Sequence, residues 1–172
     1  MTGGVPFFSE YVEGTSNNKA LEVGVTGGRS VHLTGCQIRI FLNGSNVSQA
    51  PIALAAGVLP AGEVWVVCNP AANASRLALC NQASSGINFN GDDAVLLACG
   101  SSTLDIIGQL GFDPGIAWGV APNTTLNATL VRKCSVVEGD LNGSDAYDPI
   151  ATEWLGLAVD SFAGLGSPDC AP

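Results

Sequence analysis

Gly, Pro, Asn and Ser interrupt this chain so often that its apolar runs are almost all of strand length. Val5 to Val12 reads as a first strand, and Gly14 to Asn18 as the turn after it. Leu21 to Val25 and Cys36 to Leu42 alternate as half-buried strands do, with Gly27-Gly28 breaking the first. In the second, Gln37, Arg39 and Phe41 fall on one face and Cys36, Ile38, Ile40 and Leu42 on the other. Asn43-Gly44 offers a hairpin turn. Pro51 to Leu59 is strongly apolar, but its Pro and Gly flanks argue against a helix. Glu63 to Cys68 is apolar almost throughout, as a central strand would be. Ala71 to Cys80 is the best candidate for a helix, and a short one; no other segment has helical periodicity. Ala94 to Cys99 and Leu104 to Ile107 pair across Gly100-Ser-Ser, and Ala128 to Lys133 is a late strand. Strands at this spacing predict an antiparallel β-sandwich with long loops and at most one short helix. A single domain is expected over residues 1–172, with its core at about 7–166 and a short tail at 167–172.

Cys36, Cys68, Cys80, Cys99, Cys134 and Cys170 form no Cys-x-x-Cys pair, and the single histidine, His32, has no cysteine at a useful offset. The even count therefore reads as three disulfides in an oxidising compartment rather than as zinc ligands. Cys68 and Cys80 flank a short loop after a strand and are the favoured pair. Cys36–Cys99 with Cys134–Cys170 is one choice among the pairings the sequence leaves open. Asn43, Asn46, Asn73, Asn123, Asn127 and Asn142 all stand in Asn-x-Ser/Thr sequons, an excess over chance that points to an N-glycosylated extracellular or cell-surface protein. Turn chemistry is the competing explanation, above all at Asn43 and Asn142, which precede Gly; Asn127 lies among strand-like residues. Met1 to Val5 lacks the basic and apolar regions of a signal peptide, so an extracellular protein would be a mature chain or an excised domain. No run approaches the ~20 apolar residues of a membrane span.

Charge is sparse. The chain is 47% hydrophobic and 12% charged, with net charge −9, against about 25% charged in a typical soluble domain. Such a surface suits burial against other subunits or cover by glycans. Two Lys and four Arg, scattered, make no basic footprint, which speaks against nucleic acid and an anionic membrane as partners.

Catalytic equipment is thin. His32 alternates with Val31 and Leu33 at a strand edge and reads as a surface residue. Neither Gly-x-Ser-x-Gly nor His-Glu-x-x-His occurs, and the Gly-rich stretches lack a following Lys. No enzyme and no catalytic residue is expected. The acids do cluster: Asn90, Asp92 and Asp93 in one loop, Asp113 in another, and Asp140 to Asp148 in a third. Asp140-x-Asn142-x-Ser144 has the oxygen spacing of a calcium loop, which makes Asp140, Asn142, Ser144 and Asp145 candidate ligands and calcium the one cofactor to consider. Against it, Asp145 stands where such a loop needs Gly and Ala151 where it needs Glu, and turn capping accounts for the same residues. Trp65 reads as core. Trp118 and Trp154 read as core or loop anchors, with a carbohydrate platform as the alternative.

Six motifs in order carry a family resemblance. They are Phe8-Ser-Glu-Tyr-Val-Glu-Gly-Thr-Ser-Asn-Asn-Lys-Ala-Leu-Glu-Val23, Asn88-Phe-Asn-Gly-Asp-Asp-Ala-Val-Leu-Leu97, Gly108-Gln-Leu-Gly-Phe-Asp-Pro-Gly115, Thr129-Leu-Val-Arg-Lys133, Gly139-Asp-Leu-Asn-Gly-Ser-Asp-Ala-Tyr-Asp-Pro149 and Phe162-Ala-Gly-Leu-Gly166. Over roughly residues 7–166 the chain resembles the lamin-tail domain of secreted and surface proteins. The resemblance implies an immunoglobulin-like sandwich, with a short helix after the strand at Glu63 to Cys68 and with Asn90-Gly-Asp-Asp93 as a turn feeding a core strand. It does not name a reaction, because the fold accompanies many activities. The expected role is a non-catalytic extracellular structural or adhesive module. It would be a glycosylated subunit that assembles with itself, as a homo-oligomer or filament, or with other extracellular proteins. Strand addition through Gly3 to Ser9 at a neighbour's sheet edge would be one route. The alternatives are an accessory domain of a secreted nuclease or phosphatase, and a calcium- or carbohydrate-binding module.

Overall fold

The computed structural model describes residues 4–25, 29–55, 57–147, 150–162, 164–168 and 170. Gly3, Gly27-Gly28 and Asp148 lie outside the described residues. In chain order the strands are β1 (Pro6–Glu13), β2 (Lys19–Val25), β3 (Val31–His32), β4 (Cys36–Phe41), β5 (Ile52–Ala53), β6 (Val58–Leu59), β7 (Trp65–Cys68), β8 (Gln82–Ala83), β9 (Ala94–Cys99), β10 (Ser102–Ile107), β11 (Gly119–Val120), β12 (Asn123–Thr124), β13 (Ala128–Arg132) and β14 (Trp154–Ala158). Helix α1 (Ala74–Leu77) follows β7, and α2 (Ile150–Glu153) precedes β14.

Two sheets make an all-β sandwich. One has the order β14-β13-β1-β2-β7-β8 and the other β10-β9-β4-β5. Their inner faces share one core, to which Phe8, Tyr11, Leu21, Val67, Leu130 and Trp154 come from the first sheet and Ile38, Ile40, Val95, Leu97 and Ile107 from the second. The alternation in β4 holds through Ile40, with Ile38 and Ile40 buried and Gln37 and Arg39 half-exposed, and ends at Phe41, which is buried as well. Two expectations need correction. Helix α2 is a second helix, a single turn too short to carry a periodic pattern. The sheets are not purely antiparallel either, since β8 runs parallel to β7; α1 and the Cys68–Cys80 disulfide return the chain in the same direction.

Two β-bulges decide which side chains enter the core. Ser9 is an extra residue in β1, between the pairs Phe8–Val23 and Glu10–Glu22. The insertion lets Phe8 and Tyr11 both face inward although they are three apart. Leu104 is likewise extra in β10, and Asp105 then pairs with Leu97, which faces the core. The bulge thus aims a carboxylate between the sheets.

Every described sheet edge is covered or very short. At β14, Asn123 Oδ1 accepts the Gly156 N–H at 2.6 Å. At β5, the Gln82 amide imitates a strand, donating to Ala53 O at 2.8 Å and accepting from Ala55 N–H at 2.9 Å. Asp140 N–H meets the β10 side chain Asp105 at 2.8 Å as loop 139–143 runs along that strand. β8 is only two residues long. These are common ways of blunting an edge.

Candidate functional site

The outer face of the six-stranded sheet holds the least expected chemistry. Alternation in β1 and β2 places Glu10 and Glu22 on that face, directly opposite each other. Solvent would normally cover such residues, yet both are only 1% exposed. The C-terminal segment covers them. Leu165 joins Val12, Ala20, Val64, Val66 and Cys68 in a second apolar cluster, Thr129 Oγ1 donates to Ser161 O at 2.9 Å, and Cys134–Cys170 staples the end.

Within this cluster Glu22 is well served. Its Oε1 accepts the Ser9 hydroxyl at 2.6 Å and its Oε2 the Gly166 N–H at 2.7 Å. Glu10 Oε1 is buried without a hydrogen-bond partner. Burial, reinforced by the neighbouring Glu22 carboxylate and opposed by Arg76, pushes the Glu10 carboxyl up to about 9. Burial raises Glu22 to about 7 against the pull of its two hydrogen bonds. Glu10 is therefore a neutral acid at pH 7. Arg76, from α1, closes the cluster with its guanidinium 3.9 Å from the Phe162 ring centre, and its Nη1 donates to Asn18 O at 2.8 Å. Its Nε and Nη2 are buried without partners, and its bond to Asp160 is long, at 3.4 Å.

A second charged cluster lies where β10 meets β1 and β13. Arg132 Nη2 donates to Asp105 Oδ2 at 2.5 Å and Nη1 to Glu153 Oε2 at 2.9 Å. Asp105 also accepts Phe8 N–H at 2.8 Å and Asp140 N–H at 2.8 Å. The Arg132 guanidinium stacks 4.2 Å from the Trp154 ring. Burial still raises the Asp105 carboxyl above its ordinary value, although Arg132 and both N–H donors oppose it. Beside this cluster a cleft of about 210 Å³ opens between Phe7, Ser9, Val64, Arg132, Val136 and Pro168. Ser9, whose hydroxyl donates to Glu22, stands on its wall.

The residues singled out in the sequence are dispersed. Disulfides join Cys36 to Cys99, Cys68 to Cys80 and Cys134 to Cys170; Cys36 and Cys99 face each other in the β4–β9 register. His32 is exposed in β3. Trp65 is half-buried and donates to Gln82 Oε1 at 3.1 Å. Trp118 and Trp154 are buried, so neither presents a face on which a sugar could stack. In the acidic loop, Asp140 Oδ1 accepts Asn142 N–H at 2.8 Å, and Asn142 Oδ1 accepts the Ser144 hydroxyl at 2.7 Å. These oxygens bind the loop's own donors, and among the described residues no three acidic, His or Cys side chains gather as a metal site. Asp93 likewise holds its loop by accepting Asn43 N–H and Asn90 N–H. Asn43, Asn46, Asn73, Asn127 and Asn142 are exposed, and Asn123 is half-buried.

Burial of charge also remakes the surface. Glu10, Glu13, Lys19, Glu22, Arg76, Asp93, Asp105 and Arg132 are all inside. Arg29, Arg39 and Lys133 are the basic side chains left on the surface. Meanwhile Val47, Phe112, Ile116, Val120, Val137 and Leu141 are each more than half exposed. Among the described residues no helix is long and apolar enough to cross a membrane. Protein-family models, curated proteins and solved structures compared with this chain give no match.

Proposed function

We propose that this chain is a non-catalytic extracellular module, structural or adhesive, that associates with copies of itself through apolar contact. One observation carries the reading: a chain already poor in charge keeps eight ionisable Asp, Glu, Lys and Arg side chains inside while leaving large apolar ones in water. Such a surface gains by association and has few charges to oppose it. Three disulfides suit an oxidising environment. Kinship with secreted lamin-tail domains is part of the proposal, supported by the order of the six motifs. The covered sheet edges argue for side-chain contact rather than shared strands as the means of assembly.

Sedimentation velocity of the disulfide-bonded protein over a wide concentration range tests this. Mass should grow with concentration and change little between low and high salt, and Leu141→Asp or Val58→Asp should lower it without unfolding the chain. A monomer at every concentration, or assembly abolished by salt alone, would refute self-association through apolar surface.

A further inference from the structure

We propose that N-linked glycans crown one pole of the sandwich, on Asn43, Asn46, Asn73 and Asn127, and leave the opposite pole bare for a second copy of this chain. The inference rests on the extracellular reading and goes further by saying which surface is left for a partner.

The strand registers bring the four sequons together. Phe41 of β4 pairs with Ala94 of β9, Ala20 of β2 with Cys68 of β7, and Val12 of β1 with Thr129 of β13. Across the sheets, Asn69 after β7 donates its Nδ2 to Ile87 O ahead of β9 at 2.8 Å, so β1, β4 and β7 end, and β2, β9 and β13 begin, at the same pole. Asn43 and Asn46 lie just after β4, Asn73 just after β7, and Asn127 just before β13. Loops at this pole are tied to one another through backbone donors of these same residues. Asn43 N–H donates to Asp93 at 2.9 Å, Asn73 N–H to Asn18 at 3.0 Å, and Asn127 N–H to the Glu13 carboxylate. The backbone is held, and the side-chain hydrogen bonds present at Asn73 use Oδ1, which accepts Arg76 N–H and the Ser75 hydroxyl, while the Asn46 amide lies against Gly111. All four asparagines are exposed, and among the described residues none uses its Nδ2 in a hydrogen bond.

Asn123 is the internal contrast. Its side chain is half-buried against β14, and Gly156 lies so close that a Cβ there would fall 1.9 Å from Pro122 O. A sugar on this amide would lift the hairpin from the sheet edge it covers, so Asn123 stays unmodified.

The chemistry needs a glycosyl donor from outside the protein, a lipid-pyrophosphate-linked oligosaccharide, and its transferase. The Asn Nδ2 forms a bond to the anomeric carbon, the bond from that carbon to the pyrophosphate oxygen breaks, and the amide proton leaves with the released lipid pyrophosphate; nothing is oxidised or reduced. Glycans at this pole would cover Val47, Phe112 and Ile116. Loops 43–47 and 111–113 touch there, since a Cβ on Gly44 would fall 2.7 Å from Asp113 N. Val58 pairs with His32 next to the start of β4, at the other pole, and remains uncovered.

The test is expression of the full chain through a eukaryotic secretory pathway, with site-by-site occupancy read by peptide mass spectrometry and thiol state read on the same sample. Occupied Asn73 and Asn127, at least one occupied site of Asn43 and Asn46, and unmodified Asn123 are expected. A secreted, fully disulfide-bonded chain whose four polar sites are bare overturns the crown and leaves the extracellular reading standing. Asn123 occupied as fully as the others also overturns it. A chain retained in the cell with free thiols removes the extracellular reading and the crown with it.

Discussion

The two buried charge clusters differ in how completely they are satisfied. Between the sheets, one guanidinium meets two carboxylates and Asp105 accepts two backbone N–H groups besides, so that of the guanidinium only Nε is buried without a partner. On the outer face, two carboxyl groups sit opposite each other, one oxygen of Glu10 has no partner, and Arg76 leaves two nitrogens unused. The first cluster is a pin between the sheets. Its charge is opposed by charge and by directed donors, which offset the burial that raises the Asp105 and Glu153 carboxyls. The second is stable only while at least one acid keeps its proton, since burying two like charges together without matching cations is too costly. Charge in the interior therefore does two different jobs here: one cluster joins the layers and the other makes the C-terminal cover sensitive to pH.

Breaking the pin should give the largest effect. Arg132→Met strands Asp105 and Glu153, and losing one member of a buried pair costs about 3–5 kcal/mol. Arg76→Met should cost less, about 1–2 kcal/mol, because Asp160 is partly exposed and can turn to water, leaving the stacking on Phe162 and the bond to Asn18 O to be lost. Urea unfolding of the two variants at pH 7 makes the comparison. Equal losses would mean that the two clusters are alike after all.

The pin and the cover were differently legible in the sequence. Both sheets could be read, because Cys36 to Leu42 alternates and Ala94 to Cys99 is apolar throughout, and period and length are local properties. Neither cluster could. Glu10 and Glu22 occupy the polar positions of alternating strands, where the natural expectation is solvent, and the residues that bury them arrive more than 130 positions later, at Phe162 to Gly166. Asp105 faces inward only because Leu104 bulges, and a one-residue bulge leaves no mark on hydrophobic period. One signal was present. In a chain with so few charges, Arg132 closing an apolar strand and Arg76 inside the one helix candidate were conspicuous expenditures of basic residues. The groups that meet the sheet edges at β14 and β5, Asn123 and Gln82, were hidden for a related reason: they are single polar side chains in segments that look like ordinary loop.

Titration should separate the clusters next. Glu10 and Glu22 have folded values of about 9 and about 7, both above the ordinary carboxylate value of 4.5. Between 4.5 and those values the folded chain holds protons that the unfolded chain has released. Their contribution to stability is thus complete in mild acid, falls as pH rises through 7 and then 9, and is flat beyond. Each proton difference gives a slope of about 1.4 kcal/mol per pH unit at most, and water reaching the opened cover reduces it; a net loss of about 3 kcal/mol from pH 5 to pH 9 is expected. Glu22→Gln should flatten the part below about 7 and Glu10→Gln the part running up to about 9. Melting curves recorded across this range decide the matter, and a stability maximum at pH 8 in the unaltered protein would contradict the account.

The smallest effect concerns the placement of Arg76 over the outer cluster. Asn73 caps α1, its Oδ1 accepting Arg76 N–H at 3.0 Å, and its own N–H donates to Asn18 at 3.0 Å. This one residue therefore ties the helix that carries Arg76 to the turn that follows β1. Asn73→Ala removes the cap and should cost about 1 kcal/mol. Asn73→Asp keeps an oxygen acceptor at the same place and should cost almost nothing, while abolishing the sequon as thoroughly as Ala does. The pair separates the structural use of the residue from its use as a sugar acceptor. In unglycosylated protein from a bacterial host, hydrogen exchange at the amides of 74–79 and 164–167 should quicken in the Ala variant and not in the Asp variant, because a loosened Arg76 no longer holds Phe162. Amides of β10 and β13, which belong to the inter-sheet pin, should exchange unchanged in both. Faster exchange in those two strands would show that the clusters are coupled, and the distinction between a pin and a cover would then have to be given up.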